Sequence, residues 1–499
     1  MKFFTSLLSV SLLLLIGRFS GFVREWLIAR FGGAGQDTDI AIVLISLPDL
    51  MVSLLLGGGF AAAVVPALQK RTPDEASRLF LQITGLCAIV FCGIALLVAS
   101  VPTLVLNLLS PGLPDSAIRA AIPLFLVTTL AIPLSAISGV NQAKLVSHER
   151  FWSSQAGTFI FNLSIIAAIL IAGGYAFLPA IAVGIFAGAS FRVLAQIPDL
   201  RRTWTPATRT RVPVEPGLFS SLVVTTFFAG TMALLLVIGR AFASGDGPGG
   251  LSLFSYAYRI TELPIALVYA PLATVFLPRI SAAYRDAMRG QVSREIALVL
   301  RFSLLLGTAM IVPVVFFARD FIMLIFSATP LTSPQIDTLT AVLIIAIAFL
   351  PLRGLVVLSL PILSATENTR RLVPIAAAAI VTIFAVCAVA APAWGVAGAM
   401  LGYGVAHLVA AGLVVLVLYR QIGGDILSSA LQAALRCGAV PLAVATVICW
   451  GGAHWTDGGG AALATSALAF AVFSALLVVA DPDARALARR ILGRKRTEA

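Results

Sequence analysis

Seven charged residues, Arg18, Arg24, Glu25, Arg30, Asp37, Asp39 and Asp49, lie between Gly17 and Pro66, in sequence that hydropathy would otherwise assign to two membrane-spanning helices. A charged side chain at mid-bilayer costs about 2.5–3.5 kcal/mol on insertion scales, and each Leu or Ile returns only about 0.3–0.6. Leu7, Leu8 and Leu12–Ile16 offset roughly 2–4 kcal/mol, less than the roughly 5–7 that Arg18 and Arg24 together would cost facing lipid. Lipid alone does not hold such a segment. The arginines are expected to line a wet internal cavity within a bundle of helices.

The rest of the chain supplies that bundle. Of 499 residues 60% are hydrophobic and 11% charged, and apolar runs of about 18–25 residues, long enough to cross a bilayer, recur from end to end. The reading is an all-α integral membrane protein with about fourteen transmembrane helices, over 3–30, 40–67, 79–101, 118–146, 154–172, 178–199, 217–241, 251–282, 294–318, 335–364, 372–391, 394–419, 431–453 and 461–480. A net charge of +12 would suggest nucleic acid in a soluble protein. Here it follows the positive-inside rule: with a cytoplasmic N-terminus, the inner loops hold Lys70, Arg71, Arg150, Arg201, Arg202, Arg370 and Arg371, and the outer loops 102–117, 173–178, 242–250 and 455–460 hold no Lys or Arg. Arg119 and Arg319, near the outer side, are exceptions, the latter with Asp320 beside it. An even number of spans returns the C-terminus to the cytoplasm. Cys87, Cys92, Cys387, Cys437 and Cys449 all fall in apolar spans without disulfide or metal spacing, so neither metal nor cofactor is expected.

Span one is too long for a ~30 Å hydrocarbon core and must tilt or bend, with Gly17 and Gly21 the places where it is expected to give. Span two contains Leu47-Pro48-Asp49, Gly57-Gly58-Gly59 and Val65-Pro66; helices interrupted in this way occur at transporter substrate sites. The same three glycines also suit close helix packing. Gly57, Gly58, Gly59 and, in span eight, Pro264 are the hinge candidates.

The chain repeats itself. Ile28-Ala29-Arg30 is echoed by Ile238-Gly239-Arg240 (240 − 30 = 210), Leu47-Pro48 by Leu263-Pro264 (264 − 48 = 216) and Pro133-Leu134 by Pro351-Leu352 (351 − 133 = 218). A near-constant offset in unbroken order makes spans 1–6 and 7–12 two copies of a six-helix lobe. Six is even, so the lobes are parallel and enclose a central cavity. The division is 1–199 for the N-lobe, 200–216 for a basic cytoplasmic linker, 217–419 for the C-lobe, 420–480 for two further helices and 481–499 for a basic cytoplasmic tail suited to an anionic leaflet. The second lobe brings Arg259 and Glu262 to the position mirroring the charged part of the first, and their spacing of three lets them pair on one helical face. Arg353, Lys144 and Arg192 either join the cavity or reach the inner interface; the sequence leaves both open.

Arg18-Phe19-Ser20-Gly21-Phe22-Val23-Arg24-Glu25, Gly33-Ala34-Gly35, Thr38-Asp39, Leu47-Pro48-Asp49-Leu50 and Gly58-Gly59-Phe60, with Tyr256, Ala257, Arg259, Glu262 and Pro264, resemble the MurJ (MviN) lipid II flippases over essentially the whole chain. The resemblance implies the fold of the multidrug/oligosaccharidyl-lipid/polysaccharide exporter superfamily, with the last two helices forming a lipid-facing groove in a bacterial cytoplasmic membrane. It implies as partner an undecaprenyl-diphosphate-linked saccharide, lipid II first, and by extension proteins of cell-wall or polysaccharide synthesis. By position, Arg24 and Arg259 match diphosphate-binding arginines, Glu25 an acid beside the first, and Arg18 and Asp39 further charged positions; Glu262 completes the candidate substrate-binding set. Val52 and Gly57 stand where the family usually carries an arginine and a glutamate, and spans seven and eleven lack the acids of the sodium site found in some members.

Three functions compete. A lipid-linked-saccharide flippase, for lipid II or for another such lipid serving an exopolysaccharide or capsule, needs cations in its cavity. A multidrug/cation antiporter of the same fold needs a net acidic one. A membrane glycosyltransferase needs carboxylates or histidines in sizeable outer loops, and His148, His407 and His454 form no constellation. The arginine excess favours the flippase, a transporter and not an enzyme.

Overall fold

Among the described residues, helix occupies each stretch expected to cross the membrane in the computed structural model, which describes residues 2–486 other than 57–58, 175, 207–211, 214–215, 287, 367, 423 and 456–457. The first half runs α1 (Lys2–Gly32), α2 (Gln36–Leu56), α3 (Gly59–Gln69), α4 (Pro73–Ser100), α5 (Pro102–Leu109), α6 (Asp115–Thr129), α7 (Ala131–Ser147), α8 (Phe151–Ala172) and α9 (Phe177–Arg202). The second runs α10 (Pro216–Ser244), α11 (Gly250–Arg285), α12 (Arg289–Phe326), α13 (Ser333–Ala348), α14 (Leu350–Ala365), α15 (Leu372–Ile422), α16 (Gly424–Trp455) and α17 (Gly459–Ala480). Nine helices among the described residues are long and apolar enough to cross a membrane, ten counting the bent pair α13–α14. α15 counts once there although it holds two expected spans. It reverses at Trp394 and Gly395 (φ 54°), and Gly398 lies against Ala390 and Gly402 against Cys387, so its halves run antiparallel. Asp246 caps this turn by accepting from the Val396 N–H at 3.1 Å.

The repeat is visible in where helices break. The fourth expected span divides at Leu130 between α6 and α7, the tenth at Phe349 between α13 and α14 with a 48° bend. The two breaks are 349 − 130 = 219 residues apart, beside the offset read from the prolines that follow them. Within the first half α1 packs on α8, α8 on α9 and α7 on α4 and α9; within the second α10 packs on α15, and α11 on α12, α13 and α14. The halves meet where α1 lies along α11 and where α10 lies along α2 and α3. The last two helices pack on each other and on α12.

α1 is one continuous helix from Lys2 to Gly32, through Gly17 and Gly21; Gly21 lies against the Arg259 guanidinium and the Asn162 amide, where the missing side chain makes room for polar groups crossing from other helices. Arg319 pairs with Asp337 of α13. Of the hinge candidates, Gly57 and Gly58 lie outside the described residues, Gly59 opens α3, and α11 passes through Pro264 as one continuous helix. The tail from 487 onward also lies outside them. Its start is anchored: Arg301 of α12 pairs with the fully buried Asp481 and, at 3.3 Å, with Asp483. Removing one partner of such a buried pair strands the other charge.

Tyr269 is the wedge of the second half. Its ring is wholly buried between α12 and α14, where Gly307 and Gly354 leave no room for a methyl group, and its hydroxyl donates toward the Ser303 carbonyl at 3.3 Å. Gly354→Ala is expected to cost about 1–3 kcal/mol by overpacking, read as a lower melting temperature of the detergent-solubilised protein. Gly412→Ala, whose added methyl meets open space, should leave it unchanged; equal effects would contradict this packing.

Candidate functional site

A cavity of about 410 Å³ lies between the halves, lined from both. Its lining includes Gln155 near the start of α8 and Leu360 in the second half of α14, so it extends toward the end of the bundle that carries Arg150, Arg370 and Arg371. Three polar groups stand in or behind its walls.

The first joins α1, α2 and α11. Arg24, 1% exposed, donates through one Nη2 to Glu25 Oε1 at 3.1 Å and Asp49 Oδ2 at 3.0 Å, and through Nη1 to Asn162 Oδ1 at 2.9 Å. Asn162 in turn donates to Ser20 Oγ at 3.1 Å and the Gly17 carbonyl at 3.2 Å. Arg259 reaches the same two carboxylates from α11, at 3.2 Å to Glu25 and 3.6 Å to Asp49. Two guanidinium groups thus share two carboxylates across the boundary between the halves. Charge-assisted bonds of this kind are the strong ones where water is excluded.

The second is built on Glu262. It pairs with Arg18 of α1, whose side chain is half exposed, and at 3.2 Å with Arg353 of α14. Arg353 also donates to Thr261 and lies over the Tyr258 and Tyr403 rings, 4.8 and 5.4 Å from their centroids, a cation–π arrangement. Arg259 and Glu262 therefore do not pair with each other, as their spacing of three allowed. Each is engaged from another helix.

The third comprises two arginines that make no direct ion pair among the described residues, although Asp49 acts electrostatically on Arg192, and Glu25 and Asp49 on Arg240. Arg192 of α9 donates through Nε to the Gly157 carbonyl at 3.0 Å and stacks on Phe161 at 4.7 Å. Arg240 of α10 donates to Ser46 Oγ at 3.2 Å. Both line the cavity and both are buried. Lys144, left open with Arg192 and Arg353, is elsewhere: it is buried between the Phe80 and Trp204 rings, at 4.6 and 4.9 Å.

Asp39, expected among the substrate-binding residues, is not in the cavity wall. At the start of α2, 1% exposed, it accepts from the backbone N–H groups of Gly249 at 2.7 Å and Ser252 at 2.8 Å and from the Ser252 hydroxyl. A carboxylate at the positive N-terminal end of a helix is electrostatically favoured, and here it caps α11 from the opposite half. Neighbouring bonds close the same end. Tyr256 donates to the Gly33 carbonyl at 2.6 Å, Gln335 to that of Ala34 at 2.8 Å, and Trp26 to that of Ile325 at 2.7 Å.

Sequence reasoning thus reached Arg18, Arg24, Glu25, Arg259 and Glu262, which the fold brings together, and missed the parts played by Asp49, Asn162, Arg240 and Tyr403. Arg240 had a signal: it sits in the apolar run Leu234–Phe242 with no acid nearby. Its repeat partner Arg30 is exposed, so the repeat itself pointed the wrong way.

Comparison with known proteins follows the same lines. A family model described as "Lipid II flippase MurJ" matches residues 28–469. The lipid II flippase MurJ of Burkholderia cenocepacia is 27% identical over 348 residues, 67% of this chain and 66% of that protein, so the matched region spans just under two thirds of that relative. A probable lipid II flippase MurJ of Rickettsia prowazekii is 24% identical over 387 residues, 74% of this chain and 75% of its own length. Among solved structures, a lipid II flippase MurJ in an inward closed conformation superposes with a TM-score of 0.77 at 18% identity, covering 94% of this chain and 99% of the other. An inward-facing multidrug-resistance MATE transporter gives 0.68 at 14% identity, covering 85% and 99%; at such identities both establish the fold. With its family model matched across both halves and the cavity between them, this chain belongs to the MurJ lipid II flippase family.

Proposed function

We propose that this protein moves lipid II, the undecaprenyl-diphosphate-linked peptidoglycan precursor, from the inner to the outer leaflet of a bacterial cytoplasmic membrane. The observation that carries the reading is the charge of the cavity region: Arg18, Arg24, Arg192, Arg240, Arg259 and Arg353 against Asp49, Glu262 and the underlying Glu25, six cations to three anions. An excess of guanidinium in a desolvated cleft suits a diphosphate and repels a cationic drug. The relatives described above, where named as flippases, are named for lipid II, which favours it over another lipid-linked saccharide.

In this reading both termini are cytoplasmic, 1–199 and 217–419 are the moving lobes, 200–216 tethers them, and the helices of 420–480 offer a groove to the lipid tail. The bonds around Asp39 form the outer seal and the cavity faces inward. Gly57–Gly59 and Pro264 absorb the change in backbone angle as the lobes rock. On release outside, the product would pass to enzymes of cell-wall synthesis.

Depletion of the protein in its host should accumulate lipid II on the inner leaflet; accumulation of a different lipid-linked intermediate would refute the substrate. Arg24→Ala and Arg259→Ala should each fail to rescue depleted cells at normal protein levels, since each leaves a shared buried carboxylate under-paired, at about 3–5 kcal/mol.

Asp39→Asn removes the charge from two backbone bonds, each worth about 1.5–3 kcal/mol when charge-assisted. With a reporter cysteine replacing the cavity residue Leu50 in an otherwise cysteine-free background, labelling by an impermeant thiol reagent from outside should rise about tenfold or more. An unchanged rate would mean that Asp39 does not hold the seal.

Because spans seven and eleven offer no acids for sodium, the membrane potential is expected to set direction. Two negative charges moving outward gain about 4–5 kcal/mol per 100 mV, less whatever arginine charge moves with them. In proteoliposomes an imposed potential should change the flipping rate without a sodium gradient; a rate blind to potential and dependent on sodium would overturn this.

A further inference from the structure

We propose that His407 gives the cavity a subsite for the uncharged part of the substrate: its imidazole Nε2 accepts a hydrogen bond from a hydroxyl or amide N–H of the saccharide headgroup. The proposal rests on the flippase reading and adds a residue that tells a lipid carrying a saccharide from one carrying only its diphosphate.

His407 lies in the second half of α15 and lines the cavity together with Tyr403 of the same helix and Tyr258 of α11. It is 5% exposed. Its Nδ1 is 2.9 Å from the Tyr403 carbonyl one turn back. A carbonyl oxygen only accepts, so Nδ1 carries the proton and donates it. An imidazole is for the most part uncharged above its ordinary pKa of about 6.5, and in that neutral ring the other nitrogen, Nε2, is bare and can only accept. Among the described residues nothing donates to it. The bond to Tyr403 therefore fixes both the tautomer and the ring, and leaves one buried acceptor unfilled in the cavity wall.

The surroundings select what can fill it. The Tyr403 ring centroid lies 4.5 Å from that of His407 and 5.9 Å from that of Tyr258, so the three rings form one continuous aromatic wall. From α14, Val356, Val357 and Leu360 add apolar side chains to the same cavity. Arg353 lies over both tyrosine rings and donates to Thr261 and Glu262, so the cation beside this wall is already engaged. A diphosphate offers only acceptors and would set its negative charge against the Nε2 lone pair, whereas a sugar hydroxyl or an amide N–H brings the proton that Nε2 lacks. Aromatic rings with a small number of fixed polar groups are the usual lining of a site for a neutral ligand. A buried acceptor also discriminates against a ligand without the matching donor, because it then stays unpaired.

His407→Asn and His407→Gln separate this role from a structural one. The shorter Asn amide can still donate to the Tyr403 carbonyl from the place of Nδ1 but does not reach that of Nε2, whereas Gln carries an amide oxygen out to the place of Nε2. Full-length protein in detergent would be titrated with lipid II, with undecaprenyl diphosphate, which has no saccharide, and with undecaprenol. Wild type is expected to prefer lipid II. H407N is expected to lose about 5-fold or more of its lipid II affinity while binding undecaprenyl diphosphate as before, and H407Q to stay within about 3-fold of the wild type for both. If H407N does not fold, judged by lost undecaprenyl diphosphate binding, H407S is read in its place with the same expectation. Lipid II affinity that is unchanged on removing the acceptor, a loss shared equally by both lipids in H407N and H407S, or a loss in H407Q as large as in H407N overturns the His407 subsite alone. A wild type that binds undecaprenyl diphosphate as tightly as lipid II overturns headgroup recognition and leaves the flippase reading standing; one that binds neither lipid better than undecaprenol overturns the flippase reading as well.

Discussion

The structure turns on the sharing of Glu25 and Asp49 by Arg24 and Arg259. At membrane depth an unpaired charge is too costly to keep on a helix facing lipid, and a pair is tolerated only where its remaining hydrogen-bonding capacity is met. Asn162, Ser20 and the Gly17 carbonyl meet part of it for Arg24. The consequence is mechanical: α1 and α2 of one half and α11 of the other are fastened at one point, and α1 can stay unbroken through Gly17 and Gly21. Any motion that separates the halves must exchange these partners for others, and an anionic substrate is the kind of group that could take them up.

The polar bonds between the halves are distributed unevenly. Asp39, Tyr256, Gln335 and Trp26 close the end bearing the 33–35 and 245–249 turns by bonding to backbone groups of the opposite half or its connecting loops. The cavity, by contrast, is walled in part by side chains that carry charge. Charged groups gather in the middle, and bonds to backbone groups gather at one end.

The last two helices are bound differently. Arg301 holds the buried Asp481, which itself caps the short helical turn after it through the N–H groups of Asp483 and Ala484. One arginine on α12 thereby fixes where α17 ends and ties these helices to the second half.

The helices and their doubling were legible in the sequence because both are local or periodic properties: hydropathy over a window of about twenty residues fixes a span, and a near-constant offset of 210–218 residues marks a repeat. That Arg18, Arg24 and Arg259 must avoid lipid was equally legible, since the cost of exposing them exceeds what neighbouring leucines return. What the sequence could not decide was which face of a helix points where, and which of several allowed partners a charge takes. Arg259 and Glu262 sit three apart and satisfy the rule for a helical pair, yet in the fold Glu25, Asp49, Arg18 and Arg353 engage them from other helices. Arg192 was equally compatible with the interface and the cavity until Gly157 and Phe161, on a different helix, seated it. Asp39 belonged by position with the charged substrate residues and is occupied by the N-terminus of α11. Composition and periodicity set the spans, the repeat and the need for an internal cationic cleft; the tertiary structure alone chose the partners, because ion pairs and caps between helices depend on distances of a few ångströms that sequence separation does not encode.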